Sequence, residues 1–334
     1  MTSDAVLASR VRLARNYQDL PFDTAKRPED AESCISRTAN ALTLSGQGAG
    51  FQLIRLNTLT ENQRRALAES RLISRDLLRE PETAAVLLRQ EDAVSIMMNE
   101  EDHLRIQAVR PGMDLLSAAS ACFQVDDALS RQVAFAFDKQ LGYLTACPTN
   151  TGTGMRASLL MHLPMLTICK QMGNVGQIVA KVGLTIRGVY GEGSEALGNL
   201  YLVSNQVTLG RTEQELISAV TAVGHQLTDM ERTLREKTFA TSRITLEDTI
   251  FRAWGVMHYA RVMPLKEFYR HWSGVRLGAE MGLLPVPVNV MDTLLEQCQD
   301  ANLQVQADTT MEGTLLDARR ALHVRKALQP YGRQ

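Results

Sequence analysis

One stretch of this chain constrains its folding more than any other. Thr212-Glu213-Gln214-Glu215 is a capping box, with Thr212 as N-cap and Glu215 three residues on. Leu216, Val220, Val223, Leu227, Met230 and Leu234 follow it at alternating steps of four and three. That spacing lays an apolar seam along one long helix, and such a seam must be covered by a partner. A second cap, Thr245 to Asp248, opens another helix through Ile250, Trp254 and Met257. Helices separated near Pro264 and Pro285-Val286-Pro287 continue to the C-terminus. The chain therefore changes character after Gly210. A boundary within residues 230–240 gives two units, 1–232 and 233–334, the second helical and of about 100 residues.

The first unit mixes strands and helices. Ser9-Arg10-Val11-Arg12-Leu13 and His103-Leu104-Arg105-Ile106-Gln107 alternate polar and apolar residues, the pattern of strands with one wet face. Residues 182–187 and 200–209 are further expected strands, the second broken by a turn at Ser204-Asn205. Helices are expected around 28–44, 61–79, 113–139 and 157–173, separated by turn-rich segments at 45–50, 147–154 and 188–198. With 45% hydrophobic residues the chain builds a sizeable core. A net charge of −1 argues against wholesale nucleic-acid binding, because there is no basic excess to displace phosphate counterions. The five cysteines lie far apart without a CxxC pair, which reads as reduced thiols in a cytosol. No basic stretch followed by an apolar run opens the chain, and no apolar run reaches the roughly 20 residues that span a bilayer. The expectation is a cytoplasmic protein that does not enter membranes.

Two segments are too polar to be ordinary core: Asn99-Glu100-Glu101-Asp102-His103-Leu104-Arg105 and Cys147-Pro148-Thr149-Asn150-Thr151-Gly152-Thr153-Gly154-Met155-Arg156. They supply carboxylates, a lone thiol and arginines, a combination suited to joining a guanidinium to a phosphoryl group. Alternation puts Arg10 and Arg12 on one face of their strand. An isolated R-x-R is ordinarily a solvated face. Gathered with Arg105, Arg156 (expected to open a helix) and Arg187 (expected to end a strand), the same residues would repel unless an anion sat among them. A unit charge pair at 4 Å is worth about 4 kcal/mol at an effective dielectric of about 20. Such a cluster could hold a nucleotide triphosphate without a P-loop, and no GxxxxGK[ST] sequence is present.

A guanidinium that attacks phosphorus must lose a proton as the bond forms. A carboxylate can orient it and accept that proton. Glu101 and Glu192 are the candidates, the latter in the glycine-rich Arg187-Gly188-Val189-Tyr190-Gly191-Glu192-Gly193; either alone would also pass for a surface residue. Cys147 is a buried structural thiol or a thiolate that steadies a bound cation. His103 lacks a partner at metal-ligand spacing and is expected to make a structural hydrogen bond. A protein-bound metal is not expected, although Mg²⁺ carried by a nucleotide is.

These motifs, with Ser-Arg-Val-Arg at 9–12, Cys-Pro-Thr-Asn-x-Gly-Thr-Gly-x-Arg-Ala-Ser at 147–158 and Ser-Asn-Gln-Val-Thr-Leu-Gly at 204–210, closely resemble those of the ATP:guanido phosphotransferases. Arg-Gly-Val-Tyr-Gly-Glu-Gly-Ser-Glu-Ala-Leu-Gly-Asn at 187–199 resembles the bacterial protein-arginine kinase branch in particular. The resemblance implies an α+β fold, an antiparallel sheet flanked by helices, followed by a helical C-terminal domain used for homodimerisation. It implies transfer of the γ-phosphoryl group of MgATP to arginine side chains of proteins. Carried over by position, Ser9, Arg10, Val11, Arg12, Arg105, Arg156, Ala157, Ser158, Arg187, Gly188, Val189, Tyr190 and Gly191 would bind ATP. Arg71 is added where many relatives have His. Glu101 and Glu192 would hold the guanidinium, one acting as base, and Cys147 would pack against it. Partners implied are substrate proteins with exposed arginines, a zinc-binding activator and an unfoldase–protease machine that degrades marked proteins.

Kinases of free guanidino metabolites carry a helical covering domain before the Ser-Arg-Val-Arg strand. That strand begins here at residue 9, so a protein-borne arginine is the expected substrate. A kinase of a free guanidino metabolite and a non-catalytic phosphoarginine-binding adaptor are the alternatives. The branch also carries Arg-Asp-x-x-Arg-Ala, implicated in sensing phosphoarginine. Here it reads Leu316-Asp317-Ala318-Arg319-Arg320-Ala321, which keeps Asp317 and Arg320 as candidate phosphoarginine contacts but loses a bidentate phosphate donor.

Overall fold

The computed structural model describes residues 5–23, 27–190 and 196–332. Its first unit runs β1 (Val6–Arg15), α1 (Pro28–Leu44), β2 (Gln52–Arg55), α2 (Glu61–Glu69), β3 (Ala85–Arg89), β4 (Val94–Met98), β5 (Leu104–Pro111) and α3 (Leu115–Ser130). A short hairpin of β6 (Phe137–Asp138) and β7 (Gly142–Tyr143) follows, then β8 (Met155–His162), α4 (Pro164–Ile168), α5 (Met172–Lys181), β9 (Leu184–Tyr190) and β10 (Ala196–Asn205). The rest is helical: α6 (Glu213–Tyr259), α7 (Leu265–Glu280), α8 (Val288–Gln297), α9 (Asp300–Ala307) and α10 (Gly313–Leu328). Eight strands form one antiparallel sheet in the order β2-β3-β4-β5-β1-β8-β10-β9.

The alternation of β1 sorts the two faces of this sheet. Val11 and Leu13 enter a core shared with α1, α3 and the first half of α6, while Arg10 and Arg12 stand on the opposite face. The seam of α6 is part of that core: Leu216, Val220, Val223 and Leu227 are all buried in it. The opposite face is covered at one end by the C-terminal helices. There Leu160 of β8 and Leu200 of β10 join a second core with Phe268, Tyr269 and Trp272. Where those helices stop, a cleft opens over the middle of the sheet.

Several expected elements differ. Residues 157–173 are not one helix, because 155–162 form the central strand β8, 164–168 a short helix, and only at Met172 does α5 begin. Every residue of the strand but Arg156 is buried, and Leu159, Leu160 and Met161 run together, so the alternation of 155–159 is too short to mark it. The helix expected over 61–79 ends at Glu69, with Arg71 at φ +60°. That expected over 113–139 ends at Ser130, and the strand expected over 200–209 ends at Asn205. The second helix expected from Thr245 begins slightly earlier: the backbone breaks at Ser242 (φ −142°, ψ 38°), where the two helical halves of α6 meet in a kink, and the second half runs on to Tyr259. The bend lets one helix serve both cores, its second half contributing Leu246, Ile250, Ala253 and Met257 to the second.

Candidate active site

Register brings the sequence-predicted arginines together. Arg12 lies opposite Arg156 on β8, and Arg10 opposite Ser158. On the other side Ala14 faces Arg105 of β5. Two strands further along, Leu202 sits between Leu160 and Arg187. Arg156 therefore reaches the cleft from a strand and not, as expected, from the start of a helix.

Two cavities adjoin on this face. One, of about 290 Å³, is lined by Arg10, Arg12, Arg71, Arg105, Ser158 and Val189, together with Glu69 and residues 73–76. The other, of about 230 Å³, is bordered by Arg12, Arg105, Arg156, Glu100, Glu101 and Asp102. Arg12, Arg105 and Asp76 form the wall that both share. The first is a basic trough and the second a carboxylate pocket.

The arginines repel one another. Burial, then the charges of Arg10 and Arg156, push the Arg105 pKa down to about 9, which leaves it cationic at neutral pH. Burial and then Arg187 lower that of Arg156. The Nε of Arg12 is buried without a hydrogen-bond partner among the described residues, an unmet demand for an acceptor. An anion in the trough relieves all three conditions at once.

The carboxylates are arranged to different ends. Glu100, with only 3% of its side chain exposed, pairs with Arg105 and accepts from the Ser74 hydroxyl. Burial chiefly, with Asp76 and Glu101 adding repulsion, raises its pKa to about 7. Glu101 is exposed at the mouth of the second cavity, and burial, then Asp102 and Asp76, raise its pKa while a hydrogen bond with Cys147 opposes them. A raised pKa suits a group that must take up a proton. Asp102 accepts from the Asn16 amide and the Ala146 backbone N–H, both at 2.7 Å, and so ties the two polar loops together. His103 makes the expected structural bonds: its Nδ1 accepts from Tyr17 N–H at 2.9 Å, leaving Nε2 to donate to Pro21 O at 2.7 Å.

The loop carrying Cys147 is pinned from several sides. Thr208 donates its hydroxyl to the carbonyls of Thr149 and Thr151. Gly154 has φ +64°, and a Cβ there would lie 2.6 Å from both the Ala14 carbonyl and Arg15 Nη1. Arg15, on the core side of β1, forms a bidentate pair with Asp126 at 2.8 and 2.7 Å and stacks on Tyr143. Cys147 Sγ also contacts the Thr149 hydroxyl at 3.0 Å.

Other predicted residues fall elsewhere. The side chains of Val11 and Ala157 belong to the core, and Ser9 bonds Gly112 O and Asp114 N at the start of α3. Those three offer the cleft no side chain. Gly188 continues β9 beside the trough-lining Val189, and the backbone of Tyr190 ends that strand. Gly191 and Glu192 lie outside the described residues. Arg320 is 1% exposed and donates to Cys298 O, Met263 O, Asp317 and Asp300. Its guanidinium, paired with Asp317, is engaged within the fold by these contacts. Residues the sequence reasoning left out are Glu100, Asp76 and Ser74; Glu100 stood within a quoted motif, while nothing local marked the other two. Among the described residues no group of three or more His, Cys, Asp or Glu could hold a metal, and no helix is long and apolar enough to cross a membrane.

Comparison with known proteins gives the family. Residues 33–234 match the model of the ATP:guanido phosphotransferase C-terminal catalytic domain, and 243–334 that of the protein-arginine kinase McsB C-terminal domain. A protein-arginine kinase of Caldanaerobacter subterraneus subsp. tengcongensis is 41% identical over 323 residues, covering 96% of each chain. The Bacillus subtilis protein-arginine kinase is 41% identical over 330 residues, 98% of this chain and 90% of that one. Among solved structures a lombricine kinase superposes with a TM-score of 0.61 at 23% identity, over 71% of this chain and 69% of its own. The duplicated taurocyamine kinase from Schistosoma mansoni gives 0.62 at 24%, over 75% and 38%. These two likenesses concern the fold.

Proposed function

The chain belongs to the ATP:guanido phosphotransferase family, and from that premise we propose how its cleft works as a protein-arginine kinase. The observation that carries the reading is the shared wall: a trough of repelling arginines adjoins a carboxylate pocket across Arg12, Arg105 and Asp76. ATP phosphates occupy the trough, gripped by Arg10, Arg12, Arg105, Arg156 and Arg187. The substrate guanidinium occupies the pocket, held by Glu101 and, by resemblance, Glu192, with Cys147 against its edge. The guanidinium nitrogen forms a bond to Pγ as the bond from Pγ to the bridging oxygen breaks. ADP leaves, and Glu101 accepts the proton released from nitrogen. Catalysis is then positioning plus charge neutralisation.

Mg²⁺ accompanies the nucleotide in this reading and neutralises phosphate charge. Asp76, an exposed carboxylate on the wall of both cavities, is the kind of hard oxygen donor that ion prefers. Further parts of the reading rest on the resemblance: work in the cytoplasm, a homodimer, a zinc-binding activator and delivery of marked proteins to an unfoldase–protease machine. Exposed Ile244, Phe251 and Tyr259 on the second half of α6 support a self-associating surface.

The test is to incubate the full chain with MgATP and either an arginine-rich protein or free arginine. Acid-labile phosphate is counted and sites are located by mass spectrometry under non-acidic conditions. Phosphoarginine on the protein is expected. Glu101→Gln should lower transfer by roughly a hundred- to ten-thousandfold with nucleotide affinity kept. Undiminished transfer would remove Glu101 from its role. Nucleotide binding without any transfer, alongside tight binding of phosphorylated protein, would favour an adaptor.

A further inference from the structure

One wall of the nucleotide trough is not supported by the catalytic unit alone. Ala68, Glu69, Arg71 and residues 73–76 line that wall, and the segment leaves the end of α2 through a left-handed Arg71. At that end Glu69 turns its carboxylate onto the first turn of α9, in the C-terminal helical region. Its Oε1 accepts from Ala301 N–H at 3.1 Å and its Oε2 from Asn302 N–H at 2.9 Å. The Asn302 side-chain amide adds a third bond at 3.3 Å. Ser70 donates to Asn302 Oδ1 at 3.3 Å, and Asn62 to Gln304 Oε1 at 3.1 Å.

Those two backbone donors belong to the first turn of a helix, where no intrahelical acceptor exists, so the carboxylate satisfies them and meets the positive end of the helix dipole. The α9 end is itself fixed from the other side. Arg320 of α10 pairs with Asp300 at its first residue and donates to Cys298 O just before it. A continuous line therefore runs from buried Arg320 through Asp300 and the start of α9 to Glu69, and from Glu69 to the trough.

We propose that Glu69 is a positioning residue through which the C-terminal helices set the nucleotide-facing wall of the cleft. The proposal rests on the kinase reading given above. Glu69 acts through the backbone it terminates: with the clasp made, Arg71, Ile73 and Ser74 are held at the trough, and Ser74 in turn bonds Glu100, the partner of Arg105. Loosening the clasp allows the wall to withdraw and weakens the grip on nucleotide before it affects the chemistry.

The experiment compares the full chain with its Glu69→Ala, Glu69→Gln and Asn302→Ala variants. MgADP affinity is measured by calorimetry, and KM for ATP, KM for an arginine-rich protein, kcat and thermal unfolding are measured in parallel. For Glu69→Ala a rise of roughly three- to tenfold in Kd for MgADP and in KM for ATP is expected, with the change in KM for ATP exceeding that in kcat. Glu69→Gln, which keeps acceptor capacity, should fall between, and Asn302→Ala should shift the same constants from the other side of the contact. Unchanged nucleotide affinity with a lowered melting temperature would reduce Glu69 to a structural contact and overturn the proposal. So would a fall in kcat with nucleotide affinity intact. A wild-type chain that binds no MgADP overturns the kinase reading itself, and needs no variant to show it.

Discussion

Arg12 sits at the meeting point of the trough and the carboxylate pocket, carrying a buried Nε that lacks a partner among the described residues. Its neighbours are cations: the strand pairing places Arg156 beside it, and Arg10 and Arg105 border the same trough. Such an arrangement costs stability and gains only when an anion arrives. Arg12→Met should therefore separate the two effects. Nucleotide affinity is expected to fall roughly ten- to hundredfold, the value of a hydrogen bond to a charged group. The melting temperature in nucleotide-free buffer should rise, since one like charge leaves the cluster. Calorimetric titration and thermal unfolding read the two quantities, and a fall in both would place Arg12 among the residues that hold the fold. The facing of Arg10 and Arg12 was legible in the sequence because strand alternation alone decides it. The pairing of Glu100 with Arg105 was not, because it depends on a turn between β4 and β5 whose Asn99 adopts φ +62°. Ser74 and Asp76 were illegible for a different reason: the tertiary fold carries their segment across the sheet face.

Elements place these side chains, and their legibility followed their burial. Strands with one wet face, β1 and β5, announce themselves by alternation. Strand β8, central to the sheet and ending in the buried apolar run Leu159-Leu160-Met161, reads as well for a helix, and that ambiguity misplaced Arg156. Strands β3 and β4, with Val86, Leu87 and Leu88 and then Ile96, Met97 and Met98 buried, escaped notice for the same cause. The long helix was legible from its cap and seam, and the break at Ser242 to within three residues, as the second cap at Thr245; its exact place was not, because a bend without proline or glycine leaves little trace. Among loops, 147–154 is the most tightly determined. Gly154 needs its left-handed backbone and has no room for a Cβ beside the Ala14 carbonyl and Arg15. Gly154→Ala should cost about 1–3 kcal/mol in backbone strain and displace the loop that carries Cys147. Urea unfolding and the phosphoarginine assay measure the two losses. Full activity at unchanged stability would show that the loop tolerates the shift.

Across the whole molecule the two cores are joined by buried charge as well as by α6. Glu231 of α6 accepts from the backbone N–H groups of Met165 and Leu166, both at 2.9 Å, at the start of α4. Arg235 lies 3.2 Å from Glu231 and 2.6 Å from Glu280, and Glu280 also pairs with Arg276. Arg276 reaches Asp292 at 2.7 Å and the Nδ1 of His162 on β8 at 3.3 Å. His162 Nε2 bonds the Ser273 hydroxyl at 2.7 Å. Burial chiefly, then Arg276 and Arg235, hold the His162 pKa well below the ordinary histidine value. The folded protein thus takes up a proton there less readily than the unfolded chain does. The resulting stability is complete above the unfolded pKa of ~6.5 and is lost as pH falls below it, by roughly 1 kcal/mol per pH unit. Glu231 acts oppositely, since burial raises its pKa and favours protonation in the fold. Only a difference measurement isolates the histidine. His162→Gln should cost about 1 kcal/mol at pH 7.5 through its altered hydrogen bonds, yet lose roughly 1 kcal/mol less than wild type between pH 7.5 and 5.5. Urea midpoints at the two pH values give both numbers. Equal losses in the two proteins would mean that acid loosens the fold through groups other than His162.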